Sequence, residues 1–243
     1  NITNVEQAQR FFEQQARYPL YCKPVHGIAS LGTFLISGFE DSQLLLHDGS
    51  SLPLDEFMVK IDSENGHLVQ SVLEPHPKLA GISQRVSTIR VILIIRDGRV
   101  EVLSTIWKIP SPDNIADNFW RRGNMLASTE LETGEVVRLV GNVDGVPQQM
   151  PADSPQSEQL LGFKLPDWEQ VIELCQNGAQ YFSGLKFQSW DIGLTDQGPV
   201  VVELNPGSSF ILPQLAEGQG FLTDDFLEFL RECGCKLNPR KSS

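Results

Sequence analysis

Two apolar runs near the C-terminal end of the chain, WDIGLT and PVVVEL, are separated only by residues 196–198, which read DQG. A short loop that ends in glycine is typical of a β-hairpin, because glycine readily adopts the left-handed conformation that the loop needs. If Thr195 pairs with Pro199, the same register places Asp191 opposite Glu203. The segment therefore predicts two antiparallel strands with two carboxylates directly across from each other.

Asn205 follows Glu203 by two residues, so its side chain shares the same face of the strand. Two carboxylates about 4 Å apart repel by roughly 4 kcal/mol at an effective dielectric near 20, so a cation should lie between them. Oxygen ligands without His or Cys favour Mg²⁺ or Mn²⁺. We therefore predict that Asp191, Glu203 and Asn205 bind a metal. The alternative is that they lie on the wet face of a half-exposed sheet.

Composition limits the class of protein and its partners. A chain of 243 residues with 40% hydrophobic content can bury a core as one large domain or two lobes. The formal charge of -12 argues against binding to nucleic acid or to an anionic membrane surface. No apolar run approaches the ~18 residues of a membrane span, and the start does not resemble a signal peptide. We expect a cytoplasmic protein with reduced cysteines and a small-molecule partner.

The first part of the chain alternates between helical and strand patterns. A helix is predicted over residues 4–17 with Thr3 as its cap, and PLDEFMVKI predicts a second, shorter helix. PLYCKPV, TFLISGF, SQLLLHDG and HLVQSVL are typical of strands. Two prolines in EPHPKL interrupt regular structure, so we place a domain boundary there, between domains 1–75 and 76–243.

The second part is predicted to form hairpins and two helices. STIRVILII and VEVLSTIWKI flank RDGR, and LASTELETGEVVRLV forms a further hairpin. PDWEQVIELCQNGAQYF predicts an amphipathic core helix, and TDDFLEFLREC a last helix capped by Thr223. VPQQMPADSPQSEQ is expected to be an exposed loop. Arg90 should lie on the face opposite Ile89 and Val91, with pairing to Glu101 as its structural alternative.

Lys23 ends a predicted strand and is followed by a loop that is rich in small residues, GIASLG. Small residues let backbone N–H groups approach phosphate oxygens, and an ammonium group suits the same anion. This pattern indicates a phosphate-binding loop. A strand, a glycine-containing turn and a second strand also describe an ordinary hairpin, so that alternative stays open.

The order of these motifs resembles that of ATP-grasp enzymes and, more narrowly, of the sugar-transfer-associated ATP-grasp group. The resemblance runs from about residue 18 to 210 and includes the lysine strand with its loop, LVQSVL, STIRVIL, DNFWRRGN and WDIGLTDQGPVVVELNPG. It implies an α+β fold in which two α+β subdomains hold ATP between antiparallel sheets. It also implies a first subdomain with the nucleotide loop and hinge, and a second subdomain on the metal and substrate side.

The resemblance further implies a role for each matching residue. Nucleotide contacts are implied for Lys23, His26, Gly27, Ser30, Gly32, Gln70, Ser71, Val72 and Leu73. The γ-phosphate and the acceptor would face Arg90 and Asn118, with Arg121 or Arg122. Asp191, Glu203 and Asn205 would hold Mg²⁺. Two bland alternatives stay open: Gln70 is an edge-strand polar residue, and Arg121 with Arg122 is an exposed pair.

The resemblance implies an ATP- and Mg²⁺-dependent ligase, with Mn²⁺ as a substitute metal. It would join a small-molecule carboxylate to an amine or thiol acceptor through an acylphosphate, in cell-surface polysaccharide or related biosynthesis. Two alternatives are an ATP-dependent small-molecule kinase on the same fold and a non-catalytic nucleotide-binding module. The sequence departs from the usual pattern. The residues before Lys23 are too few for the substrate-binding domain and the further phosphate-contacting lysine that ATP-grasp enzymes normally carry there, and position 190 is Trp where a small or apolar residue is common.

Overall fold

The computed structural model describes residues 2–26, 32–63 and 66–236. The chain divides into two compact units, Asn1–Glu74 and Pro75–Ser243. Each unit contains one antiparallel sheet with helices, so the predicted α+β class is confirmed. None of the helices in the described ranges is long and apolar enough to cross a membrane.

The first unit is a five-stranded sheet in the order β4-β3-β2-β1-β5, with two helices among its described residues. Its elements are α1 (Val5–Gln14), β1 (Leu20–Pro24), β2 (Phe34–Glu40), β3 (Gln43–Leu46), β4 (Ser51–Pro53), α2 (Leu54–Ser63) and β5 (His67–Ser71). The helices contribute Ala8, Phe12 and Phe57 to a core that also contains Cys22 of β1 and Ile36 of β2. One face of the sheet is therefore apolar, as the alternating strand patterns predict.

The first helix begins one residue later than its sequence signal suggests. Asn4, not Thr3, is the cap, since Asn4 Oδ1 accepts a hydrogen bond of 2.9 Å from the Gln7 backbone N–H. Gln7 Oε1 in turn accepts 3.0 Å from the Thr3 backbone N–H. The Gln7 side chain thus bonds the residue before the cap and not the cap itself, and the helix ends at Gln14 instead of residue 17.

The second unit is a seven-stranded sheet in the order β10-β9-β8-β7-β6-β11-β12, with four helices in the described range. Its elements are β6 (Thr88–Arg96), β7 (Arg99–Ile109), β8 (Met125–Thr129), β9 (Val136–Val143), β10 (Val146–Gln149), α3 (Pro155–Leu160), α4 (Trp168–Tyr181), β11 (Phe187–Thr195), β12 (Gly198–Asn205), α5 (Ile211–Glu217) and α6 (Asp224–Glu232). A short 3-10 turn, Pro77–Leu79, precedes β6.

Helices cover both faces of this sheet. On one face α4 packs against alternate residues of β6, including Ile89 and Val91. On the other face α5 and α6 pack against Ile92, Ile94 and Ile106. Arg90 lies in sequence between the residues of the first set, so its side chain belongs to the second face, as the alternation of strand side chains predicts.

The prediction of an exposed loop at VPQQMPADSPQSEQ is wrong. Residues 146–149 form β10, which pairs with β9, and residues 155–160 form α3. Ser154 caps α3, and Pro155 occupies its first turn, where a proline is tolerated because that N–H has no partner within the helix. The helix α5 lies in a segment for which the sequence analysis predicted no element.

Candidate functional site

The C-terminal hairpin places Asp191 of β11 opposite Glu203 of β12, so the predicted pairing of the two carboxylates is confirmed. The strand register that produces this pairing differs from the predicted register. Thr195 pairs with Gly198 instead of Pro199, and a β-bulge between Asp191 and Ile192 restores the register. Gly198, the first residue of β12, has a positive φ of 98°, a conformation that glycine adopts readily.

Asp191 is buried, with a side chain 4% exposed, and both of its oxygens accept hydrogen bonds from cations. Arg90 of β6 donates from Nε to Oδ1 and from Nη2 to Oδ2, each at 2.8 Å. Lys108 of β7 donates from Nζ to Oδ2 at 3.0 Å. The positive charge that the facing carboxylates demand is therefore supplied, in the structure, by two side chains of the protein.

Asp117 completes the group of charges. Its Oδ1 lies 3.5 Å from Lys108 Nζ. Its Oδ2 accepts a hydrogen bond of 3.0 Å from the Thr88 backbone N–H and a second, short one from the Thr88 hydroxyl. Two cations and two carboxylates thus share a poorly solvated region, with side chains 4% to 15% exposed. We refer to Arg90, Lys108, Asp117 and Asp191 as the buried ion cluster.

The cluster favours the charged forms of Arg90, Lys108 and Asp191. Burial alone would raise the pKa of Asp191, but Lys108 and Arg90 outweigh it and lower the pKa of that carboxyl below its usual value. Burial likewise opposes the charge on Lys108, yet Asp117 and Asp191 raise the pKa of Lys108 above its ordinary value. The pKa of Arg90 is also raised, against desolvation, by its hydrogen bonds to Asp191 and by the nearby charges of Asp191, Glu203 and Asp117.

Glu203 and Asn205 lie on the outer strand β12, next to the cluster. Glu203 is exposed, and Asn205 pairs with Ser189 of β11. The Nδ2 atom of Asn205 and the fully buried Ser189 hydroxyl have no hydrogen-bond partner among the described residues. Buried polar atoms without partners are rare, so water or a ligand atom that accepts a hydrogen bond is expected beside Asn205 Nδ2.

The donor set fits a hard divalent cation. Glu203 and Asn205 offer carboxylate and amide oxygens, and Asp191 faces Glu203 across the hairpin. Asp191 accepts two hydrogen bonds at Oδ2 and one at Oδ1, so an ion that binds at Oδ2 must displace one of its cationic partners. Within the described ranges no group of three His, Cys, Asp or Glu side chains is placed to hold a metal, and the proposed trio contains only two such residues.

The loop between β7 and β8 carries the other predicted catalytic residues. Buried Asn124 holds this loop in place: its Oδ1 accepts from the Ser111 N–H at 2.7 Å, and its Nδ2 donates to the Asn118 carbonyl at 2.7 Å. Asn118 directly follows Asp117 of the cluster. Arg122 is exposed and pairs with exposed Asp144 at 3.1 Å, and Arg121 is partly buried. The structure therefore brings Arg90 and Asp191 into contact but places Arg122 at the surface.

The predicted nucleotide residues of the first unit lie on β1, on β5 and in the segments that follow them. Tyr21 pairs with Gln70, so Lys23, two residues further along β1, shares the face of Gln70 opposite the core. β5 is the outer strand of its sheet, and Ser71 ends it. One backbone edge of β5 therefore has no strand partner among the described residues. Val72 and Leu73 follow it, Leu73 with 41% exposure.

The predicted phosphate loop is described only in part. His26 and Gly32 are exposed, and Gly32 has a positive φ of 73°. Gly27 and Ser30 lie outside the described residues.

Sequence reasoning missed two members of the cluster, Lys108 and Asp117. Lys108 is the only charged residue in the apolar run STIWKIP, and a lone lysine at a buried strand position is costly unless it is paired. That signal was available. Asp117 is the first residue of the DN pair whose second residue is Asn118, but nothing in the sequence shows that it meets Lys108.

Comparison with known proteins defines the family. The model of the sugar-transfer associated ATP-grasp family matches residues 1–226, and the chain belongs to this family. A search of curated proteins found no match.

Three similar solved structures are enzymes. The L-amino acid ligase from Bacillus licheniformis is 14% identical, with a TM-score of 0.40, over 84% of this chain and 34% of that one. N5-carboxyaminoimidazole ribonucleotide synthetase in its ADP complex is 12% identical, with a TM-score of 0.41, over 86% and 39%. The biotin carboxylase domain of a thermophilic 2-oxoglutarate carboxylase bound to ADP is 11% identical, with a TM-score of 0.30, over 88% and 37%. The chain thus spans well under half the length of these solved chains, and its assignment rests on the family match.

Proposed function

We propose that this chain is an ATP- and Mg²⁺-dependent ligase that joins a small-molecule carboxylate to an amine or thiol through an acylphosphate. The observation that carries the proposal is the buried ion cluster beside Glu203 and Asn205, in a chain of the ATP-grasp family. We further propose that the reaction belongs to cell-surface polysaccharide or related biosynthesis, a proposal supported by the association with sugar transfer in the family description.

In the proposed reaction a carboxylate oxygen of the substrate attacks the γ-phosphorus of ATP, and the bond to the ADP oxygen breaks. The amine or thiol then attacks the acyl carbon, inorganic phosphate leaves, and one proton is released. Such a reaction requires alignment and neutralisation of charge more than a nucleophilic side chain. Bound Mg²⁺ would neutralise phosphate charge at Glu203, Asn205 and Asp191.

The chain's own residues fit these requirements. The bidentate pair with Asp191 fixes the Arg90 guanidinium, so its position is set before any substrate binds. Lys23 and Gln70 share one face of the first sheet. The edge of β5 that has no strand partner among the described residues, together with Val72 and Leu73 after it, would offer backbone donors and acceptors to adenine. We assign nucleotide binding to these residues, with His26, Gly27, Ser30 and Gly32, and assign the acceptor side to Asn118 and Arg121.

The test is incubation of the protein with Mg²⁺-ATP and pooled carboxylates and amines, followed by mass spectrometry. The expected result is ADP together with a condensed mass equal to acid plus amine minus water. Glu203→Gln should abolish both products, whereas Glu135→Gln, at a partly exposed carboxylate 3.9 Å from Lys164, should leave them unchanged.

Two other outcomes would reject the proposal. A phosphorylated product without condensation would identify a kinase. Binding of ATP, detected by calorimetry, without any ADP would identify a non-catalytic nucleotide-binding module.

A further inference from the structure

Lys108 is a second cation on the carboxylate of Asp191, and the motifs that identify the family do not account for it. Its side chain is 9% exposed, and it lies between two carboxylates, Asp191 at 3.0 Å and Asp117 at 3.5 Å. Bringing a lysine into such a place costs free energy that the carboxylates must offset. A position of this kind calls for a functional explanation.

The hydrogen bonds on Asp191 distinguish its two cationic partners. Oδ2 accepts from both Arg90 Nη2 and Lys108 Nζ, whereas Oδ1 accepts from Arg90 Nε. A magnesium ion requires a carboxylate oxygen at about 2.1 Å in near-octahedral geometry, so it cannot share Oδ2 with both donors. Arg90 is held by two bonds in a planar fork and Lys108 by one, so Lys108 is the weaker competitor.

Asp117 offers Lys108 a second place. Thr88 holds Asp117 by its backbone N–H and its hydroxyl, both on Oδ2, which leaves Oδ1 facing Lys108. A lysine ammonium is a compact charge on a flexible stem, so a displacement toward Asp117 needs only a change of rotamer. Thr88 and Lys108 are directly paired across β6 and β7, which keeps Asp117 beside the lysine.

We propose that Lys108 is a positioning residue that alternates between two carboxylates: it competes with the divalent cation for Asp191, and metal binding transfers it to Asp117. Lys108 thereby weakens metal binding to the protein when no nucleotide is bound. Its ammonium group turns toward the loop that carries Asn118 only after metal has bound. This inference rests on the proposed function, because it takes Asp191 to be a metal ligand.

The experiment measures Mn²⁺ binding to the full chain without nucleotide, by the loss of the free Mn²⁺ signal in electron paramagnetic resonance. Lys108→Gln should bind Mn²⁺ about tenfold more tightly than wild type, since the competing charge is gone. Lys108→Met should do the same and serves if the glutamine variant does not fold. Lys108→Arg should stay near wild type, and Lys164→Gln is the matched surface control.

The double-mutant cycle with Asp117→Asn separates transfer of Lys108 from a general effect of charge. Without Asp117, Lys108 has only Asp191 as a partner, so the single variant should bind Mn²⁺ about tenfold more weakly. In the Lys108→Gln background the same change should have almost no effect. An equal effect of Asp117→Asn in both backgrounds would overturn the proposal.

Two further outcomes are decisive. If folded Lys108→Gln or Lys108→Met binds Mn²⁺ no more tightly than wild type, while Glu203→Gln still lowers the affinity, the role proposed for Lys108 is rejected. The proposed metal site is not rejected by that result. If wild type and Glu203→Gln bind Mn²⁺ equally, or neither binds, the metal site fails, and the proposed function and this inference fail with it.

Discussion

Asp191→Asn should destabilise the second unit strongly at neutral pH. Asp191 accepts three hydrogen bonds from two cations at 2.8, 2.8 and 3.0 Å and is almost fully buried. Removing one partner of a buried ion pair typically costs about 3 to 5 kcal/mol. Asparagine keeps one acceptor oxygen for Arg90 or Lys108, so we expect the lower end, about 3 kcal/mol, which lowers the melting temperature of a domain of this size by roughly 6 to 12 °C.

The loss of stability in Asp191→Asn should become smaller as the pH is lowered. Although burial opposes it, the two cations lower the pKa of Asp191 in the folded protein below its value in the unfolded chain. The stabilisation is therefore complete above an unfolded aspartate pKa of about 4 and is lost as pH falls through the lower folded pKa. The melting difference between wild type and Asp191→Asn should be constant from pH 7 to 5 and shrink as the pH is lowered further.

Tryptophan fluorescence is the suitable assay, because all four tryptophans lie in the second unit. Trp107 and Trp190 are buried and will report its unfolding. Asp144→Asn is the matched control, since Asp144 is 71% exposed in its pair with Arg122. Equal melting temperatures for wild type and Asp191→Asn at pH 7, or a difference that persists undiminished at pH 3, would refute the reasoning.

Two other predictions concern packing and thiol reactivity. Gly134→Ala should lower the free energy of unfolding by about 2 kcal/mol or more, because φ is +70° and the added Cβ would lie 2.5 Å from Trp168. Gly145→Ala should lower it by only about 1 kcal/mol, because φ is +86° but no atom lies within 4 Å of the added Cβ. Denaturant unfolding of both variants tests this, and equal losses would contradict it. Burial and the Asp191 charge raise the pKa of Cys175 to about 12. An aromatic disulfide reagent at pH 8 should therefore label only the exposed Cys233 and Cys235 in the native protein, and should label the buried Cys22 and Cys175 after denaturation. Labelling of all four thiols in the native protein would count against this account.

The sequence predicts strands and hairpins well where apolar alternation and glycine turns agree. The pairing of Asp191 with Glu203 was predicted from an incorrect loop length, and a β-bulge supplied the missing residue. Bulges leave no clear mark among residues such as Val201 and Val202, so their presence follows from packing in the finished sheet.

Helices near prolines were harder to predict. Pro155 lies in the first turn of α3 and Pro213 near the start of α5, where no intrahelical N–H bond is lost. If proline is treated only as a residue that ends helices, neither α3 nor α5 is predicted. The cap Ser154 was the signal that could have identified α3.

The buried ion cluster could not be derived from spacing. Lys108 and Asp191 are 83 residues apart, on strands that do not pair with each other, and meet only because β6 lies between them. The expected alternative partner of Arg90, Glu101, is instead 3.6 Å from Arg96. Strand order, which pattern alone does not fix, decided which charges came together.

The position of β12 at the margin of its sheet has a consequence for motion. Asp191 belongs to an interior strand bonded on both sides, whereas Glu203 and Asn205 belong to a strand bonded on one side only within the described part of the chain. Strands at a margin open locally at a lower free energy than interior ones. In the candidate metal site, Asp191 is therefore held more firmly than Glu203 and Asn205. We expect an ion bound there to exchange by a brief detachment of β12 while the rest of the sheet stays folded.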